Sequence, residues 1–227
     1  MDIIRIAIDG PSGAGKSTVA KELAKRLGID YVDTGSMYRA AAYKATLNNI
    51  ERDEVDKLLD MLTHTDIDYS NGNIILDGVV VNDKIRTQEI SSIASDISAI
   101  AKVRDIMVAL QRDMGSRKSI IMDGRDIGTV VLKEAEFKFF ITADLEERAK
   151  RRWLELKGKG INADLETVKR EIEIRDFNDT TREVTPLRQA DDAILIDGSK
   201  LTVENTVDMI LGIIKEKKHS IHIKDIG

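Results

Sequence analysis

The chain has no cysteine, which excludes disulfides, thiolate metal sites and a cysteine nucleophile and fits a cytoplasmic setting. Only two prolines occur, and with no low-complexity tract there is no sign of an interdomain linker. No internal repeat is found. No run of 18 apolar residues is present, so no membrane span is expected. The first residues pass straight into a strand-like segment, without the charged and apolar regions of a signal peptide. Basic charge is not in excess either: 35 Lys and Arg against 40 Asp and Glu leave a formal charge of −5, which argues against general nucleic-acid binding. His64, His219 and His222 are the only histidines. No two of them have metal-ligand spacing within a helix, and they read as surface residues.

What is present fits one α/β domain with insertions. The chain is long enough for a continuous core, and its 42% hydrophobic and 33% charged residues are those of a globular protein.

The stretch from Ile4 to Leu27 organises the rest. Ile4, Ile6, Ala7 and Ile8 form a short apolar strand, and Val19, Leu23 and Leu27 mark the inner stripe of a helix. Between them lies Gly10-Pro11-Ser12-Gly13-Ala14-Gly15-Lys16-Ser17-Thr18, which matches G-x-x-x-x-G-K-[ST]. Glycines let successive backbone N–H groups turn inward without Cβ clashes, making a nest for a polyphosphate. The helix N-terminus adds partial positive charge and free donors. Lys16 can neutralise the oxygens of a transferred phosphate, and the Ser17 hydroxyl can ligate Mg²⁺.

Ile29–Val32 reads as a second strand, ending at Asp33-Thr34-Gly35-Ser36-Met37-Tyr38-Arg39. Asp33 or Thr34 can cap the helix that starts there, which runs through Ala45. A further helix is expected over Asp53–Leu62. Between Asp66 and Val81 apolar residues alternate at period two around Asn71-Gly72 and Asp77-Gly78, which predicts a small antiparallel sheet of two or three strands. Helices come next over Arg86–Ala101 and Val103–Met114.

Ser119–Asp123 is a buried parallel strand. A carboxylate at its carboxyl end sits where open α/β sheets bind ligands, and Asp123 can hold a metal-bound water opposite Ser17. Gly124–Thr129 is read as a loop and Phe137–Thr142 as the next strand. In the helix from Asp144 to Lys157, Arg148, Arg151 and Arg152 share a face. Such a face is either solvated, with pairs such as Glu147–Arg151, or a set of mobile arginines that closes over a transferring phosphoryl group. Gly158 and Gly160 are candidate hinges. A long polar helix covers Asp164 to about Thr181, Ala193–Ile196 is the last strand, and Val203–Ile214 the closing helix.

Taken together, GPSGAGKST, DTGSMYR, IRTQEI, DGRDIGTVV, ERAKRRWLEL and Asp179…Arg182…Pro186-Leu187 resemble the bacterial cytidylate kinases, a P-loop family of nucleoside-monophosphate kinases, over Ile4 to about Ile214. The phosphate loop is shared with many NTPases; DGRDIGT with IRTQE and the hairpin insertion is narrower. The resemblance implies a three-layer P-loop fold with a central parallel sheet, a helical lid and a small antiparallel insertion. It assigns residues 1–32, 102–143 and 183–218 to the core and 33–101 to monophosphate binding, with the insertion at about 65–82. The lid and following helix are 144–182, and 219–227 is a tail without a physical account.

The activity implied is transfer of phosphate from ATP to CMP or dCMP with Mg²⁺, by a cytoplasmic monomer without nucleic-acid or membrane partners. ATP would lie on the phosphate loop, with Lys16, Arg125, Arg148, Arg151 and Arg152 as catalytic groups and Ser17, Asp33 and Asp123 around the metal. Arg39 and Arg125, with Arg182, resemble the groups that hold the CMP phosphate. Ser95, Arg104, Asp126 and Thr34 resemble those that read cytosine, and Arg175 and Asp179 those near the ribose. Two positions depart from the pattern: Thr34, where some relatives carry Ser, and Ser17, where many carry Gly. Kinases for UMP or AMP would share every phosphate-handling feature. A GTPase switch is disfavoured because no N-K-x-D tetrapeptide occurs, and a noncatalytic binding module would not need the lid arginines.

Overall fold

The computed structural model describes residues 3–70 and 72–224, with side chains through residue 217. The chain opens with β1 (Arg5–Asp9), α1 (Lys16–Leu27), β2 (Asp30–Asp33), α2 (Thr34–Leu47) and α3 (Val55–Thr63). Three short strands come next, β3 (Ile67–Ser70), β4 (Asn73–Leu76) and β5 (Val79–Val80), and then α4 (Gln88–Ile97) and α5 (Ala101–Arg117). The second half comprises β6 (Ile120–Gly124), one π-helical turn (Ile127–Val131), β7 (Phe137–Thr142), α6 (Leu145–Gly158), α7 (Leu165–Thr181), β8 (Ile194–Asp197) and α8 (Val203–Lys224).

The five-stranded sheet runs β2-β6-β1-β7-β8, with every pair parallel. Helices cover it, and β1 at its centre buries Ile6, Ala7 and Ile8 completely; each such isoleucine contributes roughly 1.5–3 kcal/mol of apolar burial. The chain passes from β1 to one side of the sheet and later crosses to the other through β7. The crevice at the carboxyl ends therefore opens beside β1, where open α/β sheets place their ligands. Register sets Asp9 beside Gly124 and Asp33 beside Asp123, so Asp9 and Asp33 end their strands, and Asp123 stands one residue before the end of the strand between them, at this rim. The insertion is a separate antiparallel sheet, β3-β4-β5, turned at Asp77-Gly78, where both residues have positive φ.

Local chemistry sets the ends of the helices. Gly15 and Gly28, both in the left-handed region, bracket α1, and Lys25 and Arg26 stand in its last turn. Asp33, not Thr34, caps α2: its carboxylate accepts the Ser36 N–H at 3.0 Å. Thr34 instead donates its hydroxyl to the Asp123 carbonyl at 2.8 Å.

Some expectations are corrected. The helix expected over Arg86–Ala101 spans Gln88–Ile97, the chain is interrupted at Ser98–Ile100, and Ala101 opens the next helix, which runs on to Arg117. Ile97 and Ala101 keep i, i+4 spacing across the break, so periodicity does not reveal it. The segment read as a loop over Gly124–Thr129 winds into the π turn, with Leu132 N–H on the Ile127 carbonyl at 2.7 Å. α8 continues to Lys224, into the stretch assigned to the tail. Asn71, the side chains of His219 and His222 and residues 225–227 lie outside the described residues. Among the described residues no helix is long and apolar enough to cross a membrane.

Gly10 leaves β1 at φ +148°, and a Cβ there would fall 1.9 Å from the Ile141 carbonyl oxygen of β7. That contact is backbone and cannot rotate away. Gly10→Ala is expected to lower the unfolding free energy by more than about 2 kcal/mol in urea titration. Gly158→Ala, with open space around its Cβ, should change it by less than about 1 kcal/mol.

Candidate active site

A cavity of about 1440 Å³ lies at the carboxyl rim of the sheet, reached by the phosphate loop, the start of α2, α4, α5, the β6 loop and the α6–α7 hairpin. It exceeds the roughly 300–1,000 Å³ of one small-molecule pocket. Thirteen Lys or Arg and eight Asp or Glu line it, a positive excess within a chain of net charge −5. Such a surplus in a concave site focuses field on anions.

On one side stands the phosphate loop. Gly13 and Gly15 have φ +75° and +87°, conformations that turn the backbone into a nest. Lys16 is buried, and its Nζ donates to the Pro11 carbonyl at 2.8 Å. Burial, and next the Arg125 guanidinium, push its pKa down to about 7 against the pull of Asp123 and Asp179. Ser17 Oγ donates to Asp123 Oδ2 at 2.8 Å, and the Tyr31 hydroxyl donates to Oδ1 at 2.7 Å. Burial and the neighbouring Asp33 raise the pKa of Asp123. For Asp33 itself burial acts upward, but Arg39 and Ser36 outweigh it and hold the carboxylate low.

Guanidinium groups from distant segments line the same cavity. Arg39 Nη2 pairs with Asp33 at 2.9 Å, and Arg125 Nε with Asp179 Oδ2 at 2.6 Å. Arg104 is buried against Asp126 and donates to the Ser98 carbonyl at 3.0 Å, which the break after α4 has freed. Arg182 donates to the Thr185 carbonyl at 2.8 Å and stands 3.8–4.0 Å from Asp179 and Asp126. Arg175 has no hydrogen bond among the described residues; burial, and then Arg125, lower its pKa to about 10. Arg39 Nε, Arg104 Nε, Arg182 Nη2 and the Tyr38 hydroxyl are buried without a partner. Donors left so are costly unless a ligand satisfies them. Thr34 and Ser95 also line the cavity.

The three arginines on one face of α6 divide. Arg148 is not a mobile cavity group: it is buried, and bonds the Ala143 and Ser12 carbonyls at 2.8 and 2.9 Å and pairs with Asp176. Arg151 pairs with Glu147 at 3.2 Å and donates to the Gly198 carbonyl at 2.6 Å. Arg152, paired with Glu155 at 2.8 Å, is more exposed than Arg148. Gly158 and Gly160, the candidate hinges, lie at the tip of the α6–α7 hairpin rather than at its root.

Residue-by-residue reading missed four groups: Tyr31, Tyr38, Asp176 and Asp9. Asp9 accepts the N–H groups of Ile127 and Gly128 at 2.8 and 2.7 Å, tying the π turn, and with it Arg125 and Asp126, to the central strand. The signal was available, since Asp9 ends a buried parallel strand and Asp123 stands one residue from the end of another.

This fold and site define a P-loop phosphotransferase. Solved structures with a similar fold include a gluconokinase from Sinorhizobium meliloti (TM-score 0.52, 11% identity, 97% of each chain) and a shikimate kinase from Bacteroides thetaiotaomicron (TM-score 0.50, 10% identity, 94% of this chain and 99% of that one). The family profile described as cytidylate kinase matches residues 6–216. Cytidylate kinases from Caldicellulosiruptor saccharolyticus and Clostridium botulinum (strain Loch Maree) are 51% and 49% identical, each over 93% of this chain and 95% and 98% of their own. The chain belongs to the cytidylate kinase family.

Burial, partly offset by the bonds to Gly128 and Ile127, raises Asp9 from 3.8 to about 6. Between these values the folded chain holds a proton that the unfolded chain has released, so this contribution to stability falls as pH rises from about 4 to about 6. In Asp9→Asn that component should vanish. Subtracting the urea-derived stability profiles of variant and wild type should leave a step on the order of 2–3 kcal/mol across this window; a flat difference contradicts it.

Proposed function

We propose that the protein transfers the γ-phosphoryl group of ATP to the phosphate of CMP or dCMP, yielding ADP and CDP or dCDP. The observation that carries this reading is that one cavity is lined by two sets of groups suited to phosphate: Lys16 with the loop, and the guanidinium groups of Arg39, Arg125, Arg175 and Arg182 from distant segments. Both sets lie within one chain, so a monomer suffices. We take residues 33–101 as the acceptor-binding region and 144–182 as the lid.

A phosphate oxygen of CMP forms a bond to the γ-phosphorus while the bond from that phosphorus to the β–γ bridging oxygen breaks and ADP leaves. The acceptor phosphate is nearly dianionic at neutral pH, so no side chain need remove a proton. What the chain supplies is alignment and positive charge: Lys16 at the transferring group and guanidinium groups at the acceptor. The half-exposed Arg152, with Arg151 beside it, is placed to approach from the lid.

Among the described residues no three His, Asp or Glu side chains form a metal-binding group by themselves. Mg²⁺ in phosphoryl-transfer sites takes one or two carboxylates together with substrate oxygens. Asp123 fits that demand: it is buried beside Asp33, whose charge disfavours its ionisation, and a cation would relieve the repulsion. Ser17 and Asp123, with Asp33 behind, would hold the ion. When bound, it supplies positive charge to the phosphate oxygens of ATP.

For base choice, Asp126 keeps Oδ1 without a hydrogen bond, Arg182 being 4.0 Å away, while Oδ2 is taken by Arg104. A free carboxylate oxygen suits the N4 amine of cytosine, and Ser95 and Arg104 can donate to its acceptors. Uracil would present an acceptor to the carboxylate, a mismatch of about 1–3 kcal/mol.

An ADP-release assay across CMP, dCMP, UMP, AMP and GMP tests the reading, with turnover expected for the two cytidylates; faster turnover of AMP or GMP overturns it. In Asp126→Asn, which keeps the shape beside Arg104, the CMP-over-UMP ratio of kcat/KM should shrink at least fivefold. An unchanged ratio would remove Asp126 from base reading.

Lys16 carries a second prediction. With its pKa near 7 in the free protein, bound phosphate must raise it, so nucleotide binding at about pH 8 takes up a proton. Titration calorimetry of Mg·ATP in buffers of different ionisation enthalpy should show uptake of about half to one proton, absent in Lys16→Arg. Affinity should fall as pH rises from 7 to 9.

A further inference from the structure

The backbone of Ser12, inside the phosphate loop, is gripped at both polar ends by one ion pair. Its N–H donates to Asp176 Oδ1 at 3.0 Å, and its carbonyl accepts from Arg148 Nη1 at 2.9 Å. Arg148 and Asp176 are hydrogen-bonded to each other, closing a ring through α6, α7 and the loop. Arg148 Nε is anchored separately on the Ala143 carbonyl at 2.8 Å, and the residue is only 8% exposed. The approach is close enough to dictate composition. A Cβ on Gly13 would stand 3.1 Å from both the Cβ and the carbonyl oxygen of Arg148, so the loop needs glycine there for α6 as well as for its own turn.

The two helices behave as one support. Ala149, Val168 and Ile172 form an apolar cluster of their own, flanked by Trp153, whose indole N–H donates to the Ala163 carbonyl at 2.9 Å. A displacement of Asp176 is therefore shared with Arg148 rather than absorbed by a flexible side chain. A carboxylate beside a phosphate loop would by itself repel the incoming anion; pairing with Arg148 cancels that charge while keeping its ability to accept the Ser12 N–H.

We propose that Asp176 and Arg148 are positioning residues for the donor site. They hold the Ser12 peptide in the orientation that lets the loop receive the ATP phosphates, and they act without touching nucleotide. This deepens the reading of the loop as the ATP site and rests on it. Positional errors of under an ångström in such a shell are enough to weaken a preorganised site.

The test is ATP binding by calorimetry on the full chain without CMP, together with KM for each substrate. Asp176→Ala should raise the ATP Kd and KM at least tenfold while KM for CMP moves less than twofold. Asp176→Asn keeps an oxygen that can accept the Ser12 N–H and should recover at least half of the loss on a logarithmic scale. Arg148→Lys keeps the charge but not the fork that reaches both carbonyls, and should raise the ATP Kd severalfold; it stands as the independent variant should Asp176→Ala not fold. An ATP Kd within twofold of wild type in the folded variants overturns the proposal, as does an equal rise in KM for ATP and CMP, which marks a general loss of structure. Wild-type protein that binds ATP but does not phosphorylate CMP would overturn the functional reading alone and leave this comparison valid.

Discussion

Positive charges crowded out of water repel one another, and that repulsion is the constraint under which this site is built. Burial draws Lys16 down to about 7 and Arg175 down to about 10, and in both the largest contributor after burial is the Arg125 guanidinium. A cluster like this is not self-stable. Asp179 holds Arg125, Asp33 holds Arg39 and Asp126 holds Arg104, and the pKa of Arg125 stays raised because Asp179 outweighs burial. The carboxylates keep the guanidiniums aimed and charged without cancelling them all. The remaining charge is the part that two phosphorylated ligands can neutralise, at sites whose geometry is already set.

The fold's task is to bring these groups to one rim and keep them there. Parallel strands deliver Asp9, Asp33 and Asp123 side by side at their carboxyl ends, and each then organises a neighbouring segment. Asp33 starts α2 and orients Arg39. Asp123 gathers Ser17 from the loop and Tyr31 from β2. Asp9 fixes the π turn, so the segment carrying Arg125 and Asp126 is referenced to the same strand that feeds the phosphate loop. The phosphate loop and the segment carrying Arg125 and Asp126 thus share one origin in β1, the kind of fixed alignment that the proposed in-line transfer requires.

The features legible in the sequence were those enforced locally. Glycines at positive φ, an apolar strand before them and an amphipathic helix after them left little choice for residues 4 to 27. The same holds for the hairpin at Asp77-Gly78, where turn chemistry and period-two alternation agree. The unreadable features depend on contacts distant in sequence. Arg148, Arg151 and Arg152 share a helix face, yet α7 and the phosphate loop claim Arg148 and leave Arg152 half-exposed; helical spacing carries no trace of a partner 28 or 136 residues away. The break between α4 and α5 was hidden because the inward stripe continues across it. There the local cost of ending a helix is offset by a buried arginine that takes the freed Ser98 carbonyl.

If the protein reads cytosine as proposed, that Ser98–Arg104 contact sits at the end of the cavity that would read the base. Arg104 is held by a carbonyl, by Asp126 and by the face of Tyr38 at 5.6 Å, so its position is over-determined and its orientation resists change. Planar hydrogen-bond recognition needs that rigidity, because a misplaced donor loses its discrimination between bases. On the proposed function the arginines at the phosphate end are held unequally: Arg39 by Asp33 and the Ser36 hydroxyl, Arg125 by Asp179 and the Gly124 carbonyl, and Arg175 by no hydrogen bond among the described residues. Phosphoryl transfer moves charge between ligands, and groups with spare donors can follow it. On the proposed function, Arg175 is the group free to follow that charge while Arg104 keeps its place at the base, and the carboxylates between the two ends, Asp126 and Asp179, both stand within 4.0 Å of Arg182.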